Sequence, residues 1–434
     1  MTDQIELAAP AERPAVEPRV NAARIAADLQ QFGELGATGA GVTRLAYTPA
    51  ERQAHDLMAR RMRDAGLTVS VDAFGNSYGL RPGTDPSLPA IGFGSHLDTV
   101  PNGGRFDGAV GTLGALEVMR ALQDAGVETR HPLLLVVFAA EEGARFGAPC
   151  LGSKAITGIL SERDLDRLKD ANGVTLRSAI ASVGLDPGAL ATVRWPPRYL
   201  AAFLEMHIEQ ARVLETEGKG VGLIDFVAGS TRFRLTLSGR ADHSGATPMR
   251  LRQDALAAAA EIVLGLEALA RDPRRRSTVA TVGRLELSPN SITTVPARAV
   301  LGIDVRDVDS DRQREVARQA VDLARRVGER RRVGVEVELI TDNSPVVLPV
   351  WLRQLLGEAC HELDVEFRVM NSGAGHDAAY VSTQYPAAMI FVPSREGISH
   401  SPEEWTSVAD VARGAEVMLR SVLHVDRRLS TAGT

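Results

Sequence analysis

Imidazole and carboxylate side chains follow directly after short apolar runs at four places in this chain. The runs and the residues that follow them are 90–94 with His96 and Asp107, 133–140 with Glu141 and Glu142, 199–206 with His207, and 387–392 with His400. In an open α/β sheet, ligands bind in the crevice at the carboxyl ends of buried strands. The pattern therefore predicts that these side chains converge at one sheet edge, as a two-metal hydrolytic site.

Nitrogen and oxygen donors in this mixture suit a pair of divalent ions. The set provides two imidazoles for one ion, an imidazole with a carboxylate for the other, and one carboxylate that could bridge them. We expect zinc, with manganese, cobalt and nickel as alternatives, because the same ligands accept all four. The absence of a nearby thiolate speaks against a structural Cys-rich site. Two ions held close together would lower the pKa of a shared water towards neutrality.

Two further carboxylates have separate predicted tasks. Asp98 lies two residues after His96, from where it can orient that imidazole. Glu141 and Glu142 are neighbours at a strand end, so their side chains diverge and are not expected to bind the same metal. One of the pair is expected to ligate, and the other to face the water as general base.

A single histidine or an adjacent pair of glutamates is more often an ordinary surface or core feature. The histidines interpreted in that way are His55, His131, His361 and His424. Residues 75–79 also match the G-x-S-x-G pattern of serine hydrolases. No helix is expected to begin at Ser77, however, so a serine nucleophile is not predicted.

The composition is that of a globular protein large enough for two domains. Of 434 residues, 44% are hydrophobic and 24% charged, and the net charge of −6 comes without a basic stripe, which argues against a nucleic-acid partner. The sequence has no apolar run long enough to span a bilayer, so no membrane association is expected. The two cysteines favour a cytoplasmic location over a disulfide framework. Residues 1–19 are interpreted as a loose tail rather than a signal peptide.

Apolar periodicity predicts an α/β catalytic domain, with a mixed sheet flanked by helices, assembled from residues 1–228 and 343–434. Its expected helices cover 50–65, 110–125 and 350–363, and its expected strands cover 69–79, 90–94, 133–140 and 387–392. The predicted metal-binding segments all lie in this domain. Along the chain, some of them precede residues 229–342 and one follows them.

Residues 229–342 are predicted to form an inserted α+β domain. Expected strands cover 230–238, 278–287, 298–307 and 333–340, and expected helices cover 251–270 and 311–326. The order β-α-β-β-α-β is that of the split βαβ sandwich.

Six segments of the chain carry a resemblance to a known family. They are GSHLDTVPNGGRFDGAVG (94–111), FAAEEGARFG (138–147), EMHIEQARVLE (205–215), ADHSGATPMRLRQDAL (241–256), SGAGHDAAY (372–380) and MIFVPSREGISHSPEEW (389–405). The chain resembles the zinc-dependent amidohydrolases of the M20 peptidase clan. Within that clan, EMHIEQ and GISHSPEEW are typical of the carbamoylase branch, which holds N-carbamoyl-L-amino acid hydrolases, β-ureidopropionases and allantoate amidohydrolases.

The resemblance implies a role for each candidate residue. It implies that His96 and His207 bind one metal, that Glu142 and His400 bind the other, and that Asp107 bridges them. It assigns Glu141 as the general acid and base. The inserted domain is implied to form a homodimer, in which His243 reaches across to polarise the scissile carbonyl.

Two more residues are implied to contact the substrate. Gln210 would touch the carbamoyl group, and Arg306 would pair with the substrate carboxylate through its planar guanidinium. The chain departs from the family pattern at Ala211, where glycine is common, and at Thr293, where an asparagine is usual.

The predicted reaction is hydrolysis of the carbamoyl C–N bond of N-carbamoyl-L-amino acids to amino acid, ammonia and carbon dioxide. Allantoate and N-carbamoyl-β-alanine, the substrate of β-ureidopropionase, are alternatives within the branch, and an M20 aminopeptidase or deacylase is a remote one. A non-enzymatic, metal-stabilised scaffold is disfavoured because the predicted base Glu141 is present.

Overall fold

The computed structural model describes residues 17–431, so most of the predicted N-terminal tail lies outside the described residues. The described chain divides into two compact units. The larger unit comprises residues 17–223, 349–368 and 380–431, and the smaller unit comprises 224–348 and 369–379. The smaller unit begins earlier and ends later than the predicted 229–342, and it adds 369–379.

The α-helices are numbered here in chain order. They are α1 Ala22–Glu34, α2 Pro49–Asp64, α3 Ala109–Asp124, α4 Leu151–Ile156, α5 Glu162–Arg167, α6 Leu176–Ser182, α7 Leu190–Val193, α8 Val213–Glu217, α9 Ala255–Ala270, α10 Ser310–Arg331, α11 Val350–Glu362, α12 Asp377–Val381 and α13 Val408–Thr431. Short 3-10 helices cover Pro187–Ala189, Met249–Leu251 and Arg395–Gly397. None of these helices is long and apolar enough to cross a membrane.

The β-strands are numbered in the same way. They are β1 Ala37–Thr38, β2 Gly41–Val42, β3 Thr68–Val71, β4 Ser77–Arg81, β5 Ala90–His96, β6 Leu133–Phe138, β7 Leu200–Ile208, β8 Val221–Val227, β9 Gly229–Ser238, β10 Asp242–His243, β11 Val279–Ser288, β12 Thr294–Val295, β13 Arg298–Asp307, β14 Gly334–Asn343, β15 Val346–Val347, β16 Phe367–Ser372 and β17 Ala387–Val392.

A mixed sheet flanked by helices forms the centre of the larger unit. Six consecutive strands of this sheet run in the order β17, β7, β5, β6, β4, β3. The pairs β17–β7, β7–β5 and β5–β6 are parallel, whereas β4 and β3 are antiparallel additions. Every residue of β5, β6 and β17 is buried, as expected for strands covered on both faces. The parallel strands therefore finish at one shared edge.

The prediction of a single strand over 69–79 is wrong. This stretch forms a hairpin of β3 and β4 instead, because Asp72 caps a turn between them. Its Oδ1 accepts the backbone N–H groups of Phe74, Gly75 and Asn76 at 2.9, 2.8 and 3.0 Å. An Asp side chain bonded to the following backbone is a standard turn device. Two long helices, α1 and α13, are also missing from the predicted set. Both of them pack against α3.

The smaller unit has its own antiparallel sheet, in the order β11, β13, β9, β14. Alternate residues of β9 are buried, among them Phe233, Leu235 and Leu237, and they share a core with α9 and α10. The order β9, α9, β11, β13, α10, β14 is the β-α-β-β-α-β order expected from the sequence. The predicted helix over 251–270 begins at Ala255, because Asp254 caps it through the N–H of Ala257.

Candidate metal centre

The ends of four parallel strands deliver the candidate ligands to one edge of the larger sheet. His96 is the last residue of β5, and His207 is the penultimate residue of β7. Glu141 and Glu142 follow β6 closely, and His400 lies in the loop after β17. All of these residues except His400 are buried. His400 exposes 51% of its side chain, so the edge is open to solvent on that side.

Asp107 joins two groups of ligands through its two carboxylate oxygens. Its Oδ1 lies 3.1 Å from Nε2 of His207 and 3.4 Å from Nε2 of His96. Its Oδ2 lies 3.6 Å from Nε2 of His400, which in turn lies 3.6 Å from Oε1 of Glu142. The two groups, His96–Asp107–His207 and Asp107–Glu142–His400, each bring their donor atoms close enough to hold one ion.

Unpartnered buried atoms indicate that the donor set fits metal ions. Within residues 17–431, Nε2 of His96 and Oε1 of Glu142 are buried without a hydrogen-bond partner, an arrangement that costs free energy unless something binds there. The Nδ1 atoms of His96 and His207 lie 3.1 and 3.0 Å from the backbone carbonyls of Asp98 and Ile208. Because each Nδ1–H donates to a carbonyl, the neutral form of each imidazole directs its Nε2 lone pair to the centre, as in metal-binding histidines.

The electrostatics of the cluster follow from opposite charges packed together. Burial would lower the pKa of His207, but the Asp107 carboxylate outweighs it and raises the pKa to about 9. In the same way, Glu141, Asp107 and Asp98 raise the pKa of His96 against its burial. Burial would raise the pKa of Asp107, yet His207 and His96 hold it well below its usual value. Without metal, the cluster therefore holds protons on its imidazoles at neutral pH.

The two adjacent glutamates differ in their surroundings. Oε2 of Glu141 lies 3.8 Å from Nε2 of His96, and its Oε1 accepts a hydrogen bond from the Cys150 thiol at 3.1 Å. Burial raises the pKa of Glu141 to about 7, which suits a group that exchanges protons near neutrality. Burial and the carboxylates of Asp107 and Glu141 raise the pKa of Glu142 as well. The fold thus brings the Cys150 thiol to Glu141, while neither ligand group contains a cysteine within the described residues.

Asp98 positions the glutamates as well as the imidazole. Its Oδ1 accepts the backbone N–H of Glu141 at 3.1 Å, and its Oδ2 accepts that of Glu142 at 3.0 Å. Its Oδ1 lies 3.5 Å from Nδ1 of His96, whereas the backbone carbonyl oxygen of Asp98 lies 3.1 Å from the same Nδ1. One carboxylate thus ties the end of β5 to the residues after β6.

Glycine is required where α3 begins. Gly108 has a φ of +63°, and a Cβ there would lie 2.4 Å from the His96 ring. Only glycine adopts this conformation easily and leaves room for the imidazole. The glycine of the FDG segment, residues 106–108, is therefore explained by the limited space beside the His96 ring.

Three residues that surround Asp107 complete the centre. Nε2 of Gln210 donates to Oδ2 of Asp107 at 2.6 Å, and Oγ of Ser399 lies 3.1 Å from the same oxygen. Glu404, which is buried, accepts the backbone N–H of Asp107 at 3.0 Å. Burial and the Asp107 carboxylate raise the pKa of Glu404 to about 7. Sequence reasoning did not include Cys150, Ser399 or Glu404, although the last two lie in the GISHSPEEW segment.

His243 and Arg306 belong to the smaller unit. His243 is exposed, and its Nδ1 accepts the N–H groups of Gly245 and Ala246 at 3.0 and 3.1 Å. Arg306 donates through Nε and Nη2 to Oδ2 of Asp304 at 3.0 and 2.9 Å. Their expected contacts with substrate stay predictions.

The serine of the G-x-S-x-G match has a histidine partner but no access to a substrate. Oγ of Ser77 lies 2.8 Å from Nδ1 of His55, whose Nε2 lies 3.2 Å from Glu51. All three side chains are buried, with at most 2% exposure. Ser77 begins β4 rather than a helix, so the group forms part of the packed interior and lacks the exposed nucleophile of a hydrolase.

Comparison with known proteins relates this geometry to one family. Residues 92–424 match the model of peptidase family M20/M25/M40. An N-carbamoyl-L-amino-acid amidohydrolase of Paenarthrobacter aurescens is 39% identical over 94% of this chain and 99% of its own length. One from Geobacillus stearothermophilus is 41% identical over 91% of this chain and 96% of its own.

Further relatives carry other names. An allantoate amidohydrolase of Escherichia coli is 35% identical over 87% of this chain and 91% of its own length. An amidase of the hydantoinase/carbamoylase family from Burkholderia multivorans, known from its crystal structure, has 33% sequence identity to this chain. It covers 94% of this chain and 98% of its own, with a TM-score of 0.84.

Proposed function

This chain belongs to peptidase family M20/M25/M40, a family of metal-dependent hydrolases, and from that premise we propose that it hydrolyses the ureido C–N bond of N-carbamoyl-L-amino acids. Addition of water and cleavage of one C–N bond yield one amine and a carbamic acid, which then decomposes, so that the final products are the free amino acid, ammonia and carbon dioxide. The observation that carries the proposal is the position of Glu141, whose Oε2 lies 3.8 Å from the unpartnered Nε2 of His96 in the ligand cluster.

The proposed reaction depends on proton transfer by Glu141. His96, Asp107 and His207 would hold one divalent ion, and Asp107, Glu142 and His400 would hold the other. Such ions, zinc in our proposal, acidify water and polarise a carbonyl. Glu141 takes the proton of the attacking water and gives it to the departing nitrogen as the C–N bond breaks. A pKa of about 7 lets it accept and return a proton within one cycle.

The substrate contacts in our proposal come from three side chains. Since Nδ1 of His243 accepts backbone N–H groups, its proton lies on Nε2, where it can donate to a carbonyl oxygen. We propose that His243 does so across a homodimer. Gln210 would meet the carbamoyl group. Arg306 lines a cavity of about 500 Å³ in the smaller unit, and Asp304 holds its guanidinium in one orientation. That orientation suits a bidentate contact with the substrate carboxylate.

A cytoplasmic location is part of the proposal. Within the described residues, Cys150 and Cys360 are buried and are not joined in a disulfide, which suits a reducing compartment.

Ammonia release from purified, zinc-loaded protein tests the function. We expect N-carbamoyl-L-methionine to be hydrolysed faster than N-carbamoyl-β-alanine and allantoate, the two substrates assayed for comparison. Glu141→Gln should keep its metal and lose about 10²-fold to 10⁴-fold in turnover, the usual contribution of a general base. Release from none of the three substrates would reject the proposal.

Allantoate is the second candidate, because the Escherichia coli relative is named for that activity. Allantoate also presents a ureido group beside a carboxylate. Faster ammonia release from allantoate than from any N-carbamoyl-L-amino acid would favour this reading.

A further inference from the structure

Glu404 lies where two distant segments of the metal centre meet. Its side chain is buried, with 4% of the residue exposed. Oε1 accepts the backbone N–H groups of Phe106 and Asp107, both at 3.0 Å. Oε2 accepts the hydroxyl of Ser399 at 3.2 Å. The Glu404 carboxylate therefore bonds to Asp107, which joins the two ligand groups, and to Ser399, which precedes His400 in the chain.

The spacing of these two segments is a tertiary property. Almost three hundred residues separate Asp107 from His400 along the chain, yet Oδ2 of Asp107 and Nε2 of His400 lie 3.6 Å apart. The sheet fixes where β5 and β17 end, but both ligands lie in loops beyond those ends. A side chain that bonds to both loops can therefore fix their distance.

The space for the Glu404 carboxylate is built into the Asp107 loop. A Cβ at Gly104 would lie 2.2 Å from Oε1 of Glu404. Any other residue at position 104 would displace the carboxylate from the N–H groups of Phe106 and Asp107. The two segments thus contain a matched carboxylate and glycine.

We propose that Glu404 is a positioning residue, which sets the distance between Asp107 and His400 and so builds the ion site that these two form with Glu142. It acts through hydrogen bonds to Phe106, Asp107 and Ser399 and binds neither ion nor substrate itself. This inference rests on the proposed function in one respect only, because it assumes that the cluster binds divalent ions.

Cobalt binding tests the proposal without relying on turnover. Cobalt(II) would be titrated into metal-free protein, with stoichiometry and affinity read by calorimetry and by visible absorption. Glu404→Ala should bind one of the two ions about 10-fold to 100-fold more weakly, the usual effect of losing an outer partner of a ligand. Its kcat should fall while KM stays close to that of the unmodified protein.

Two further variants separate positioning from general damage. Glu404→Gln should retain cobalt binding, since its amide oxygen accepts the two N–H groups and its nitrogen donates to Ser399. Glu404→Asp, one methylene shorter, should lose affinity in the same direction as Glu404→Ala. The matched control is Glu403→Gln, because Glu403 is the adjacent residue, is exposed, and contacts Ser401 instead.

Clear outcomes would overturn the inference. If Glu404→Ala folds and binds cobalt as the unmodified protein does, the inference is wrong. If Glu404→Ala does not fold, unchanged cobalt binding in Glu404→Asp would overturn the inference instead. Equal losses in Glu404→Gln and Glu404→Ala would reject hydrogen-bonded positioning. If the unmodified protein binds cobalt but hydrolyses no ureido compound, the proposed function fails while the test of Glu404 still stands.

Discussion

The thiol of Cys150 donates a hydrogen bond to Oε1 of Glu141 at 3.1 Å, and the backbone N–H of Cys150 bonds to the carbonyl of Glu141 at 2.6 Å. Cys150 adopts a left-handed conformation, with φ of +57°, just before α4. The helix start thus holds the proposed base from one side while the ligand cluster lies on the other. A neutral donor of this kind favours the ionised carboxylate.

Replacing Cys150 should change the pH dependence of activity. Cys150→Ala removes a donor that stabilises the charged form, so the pKa of Glu141 should rise above its value of about 7. Because the base must be ionised to work, the acidic limb of kcat/KM should move to higher pH. Cys150→Ser keeps a donor and should move it back. The measurement is kcat/KM against pH for the three proteins, and identical limbs would contradict the role of the thiol.

Asp98 should be needed for metal affinity as well as for stability. Asp98→Asn can accept only one of the two N–H bonds from Glu141 and Glu142, which leaves a buried donor unsatisfied at a cost of about 1–3 kcal/mol. Displacement of both glutamates should lower metal affinity or activity about 10-fold to 100-fold. Calorimetric zinc titration and the free energy of unfolding check this, with Asp56→Asn, an exposed aspartate of α2, as control. Equal zinc affinity in both variants would count against it.

Metal removal should make stability fall as pH rises. Without metal, the folded state raises the pKa of Glu141 and Glu404 to about 7, and that of His207 to about 9. Each raised group holds a proton that the unfolded chain releases, so its stabilisation is complete below the unfolded pKa and is lost as pH passes the folded pKa. His96 and Glu142 shift in the same direction. The free energy of unfolding should therefore decline from weakly acidic to weakly alkaline pH.

Zinc should remove most of that decline, because the ions displace the protons of their ligands and their charge favours the ionised form of the neighbouring carboxyl groups. Calorimetric Tm values at about pH 5.5, 7 and 8.5, with zinc and with chelator, give the comparison. The gap between the two curves should widen as pH rises. A gap that narrows would show that the cluster does not hold these protons in the folded state.

A homodimer with His243 acting across the interface should show complementation. Co-expression of Glu141→Gln and His243→Ala chains should restore roughly a quarter of the unmodified activity, since half of the dimers are mixed and each has one intact site. Co-expression of Glu141→Gln with Glu142→Gln leaves every site damaged and should restore none. If neither pair restores activity, His243 acts within its own chain, whereas roughly half of the unmodified activity in the first pair would show that His243 is not needed.

The sequence by itself determined several of the strands and the candidate ligands at their ends. Alternating and continuous apolar runs depend on neighbours in the chain, which is why β17 and β13 have the predicted bounds and β9 differs by one residue. The same local signals predicted that His96, Glu142, His207 and His400 lie at the ends of buried strands. The structure shows that these strands are parallel, so their ends lie at one edge.

Tertiary structure decided what each of those side chains contacts. The turn at Asp72 interrupts a stretch that reads as one strand, because a side-chain bond to the backbone outweighs the apolar pattern. Cys150, Ser399 and Glu404 contact the centre through loops whose approach no periodicity encodes. The division of Asp107 between two ligand groups depends on atoms brought together from four distant segments. Such contacts follow from the packing of the whole sheet, and that packing is a property of the folded chain.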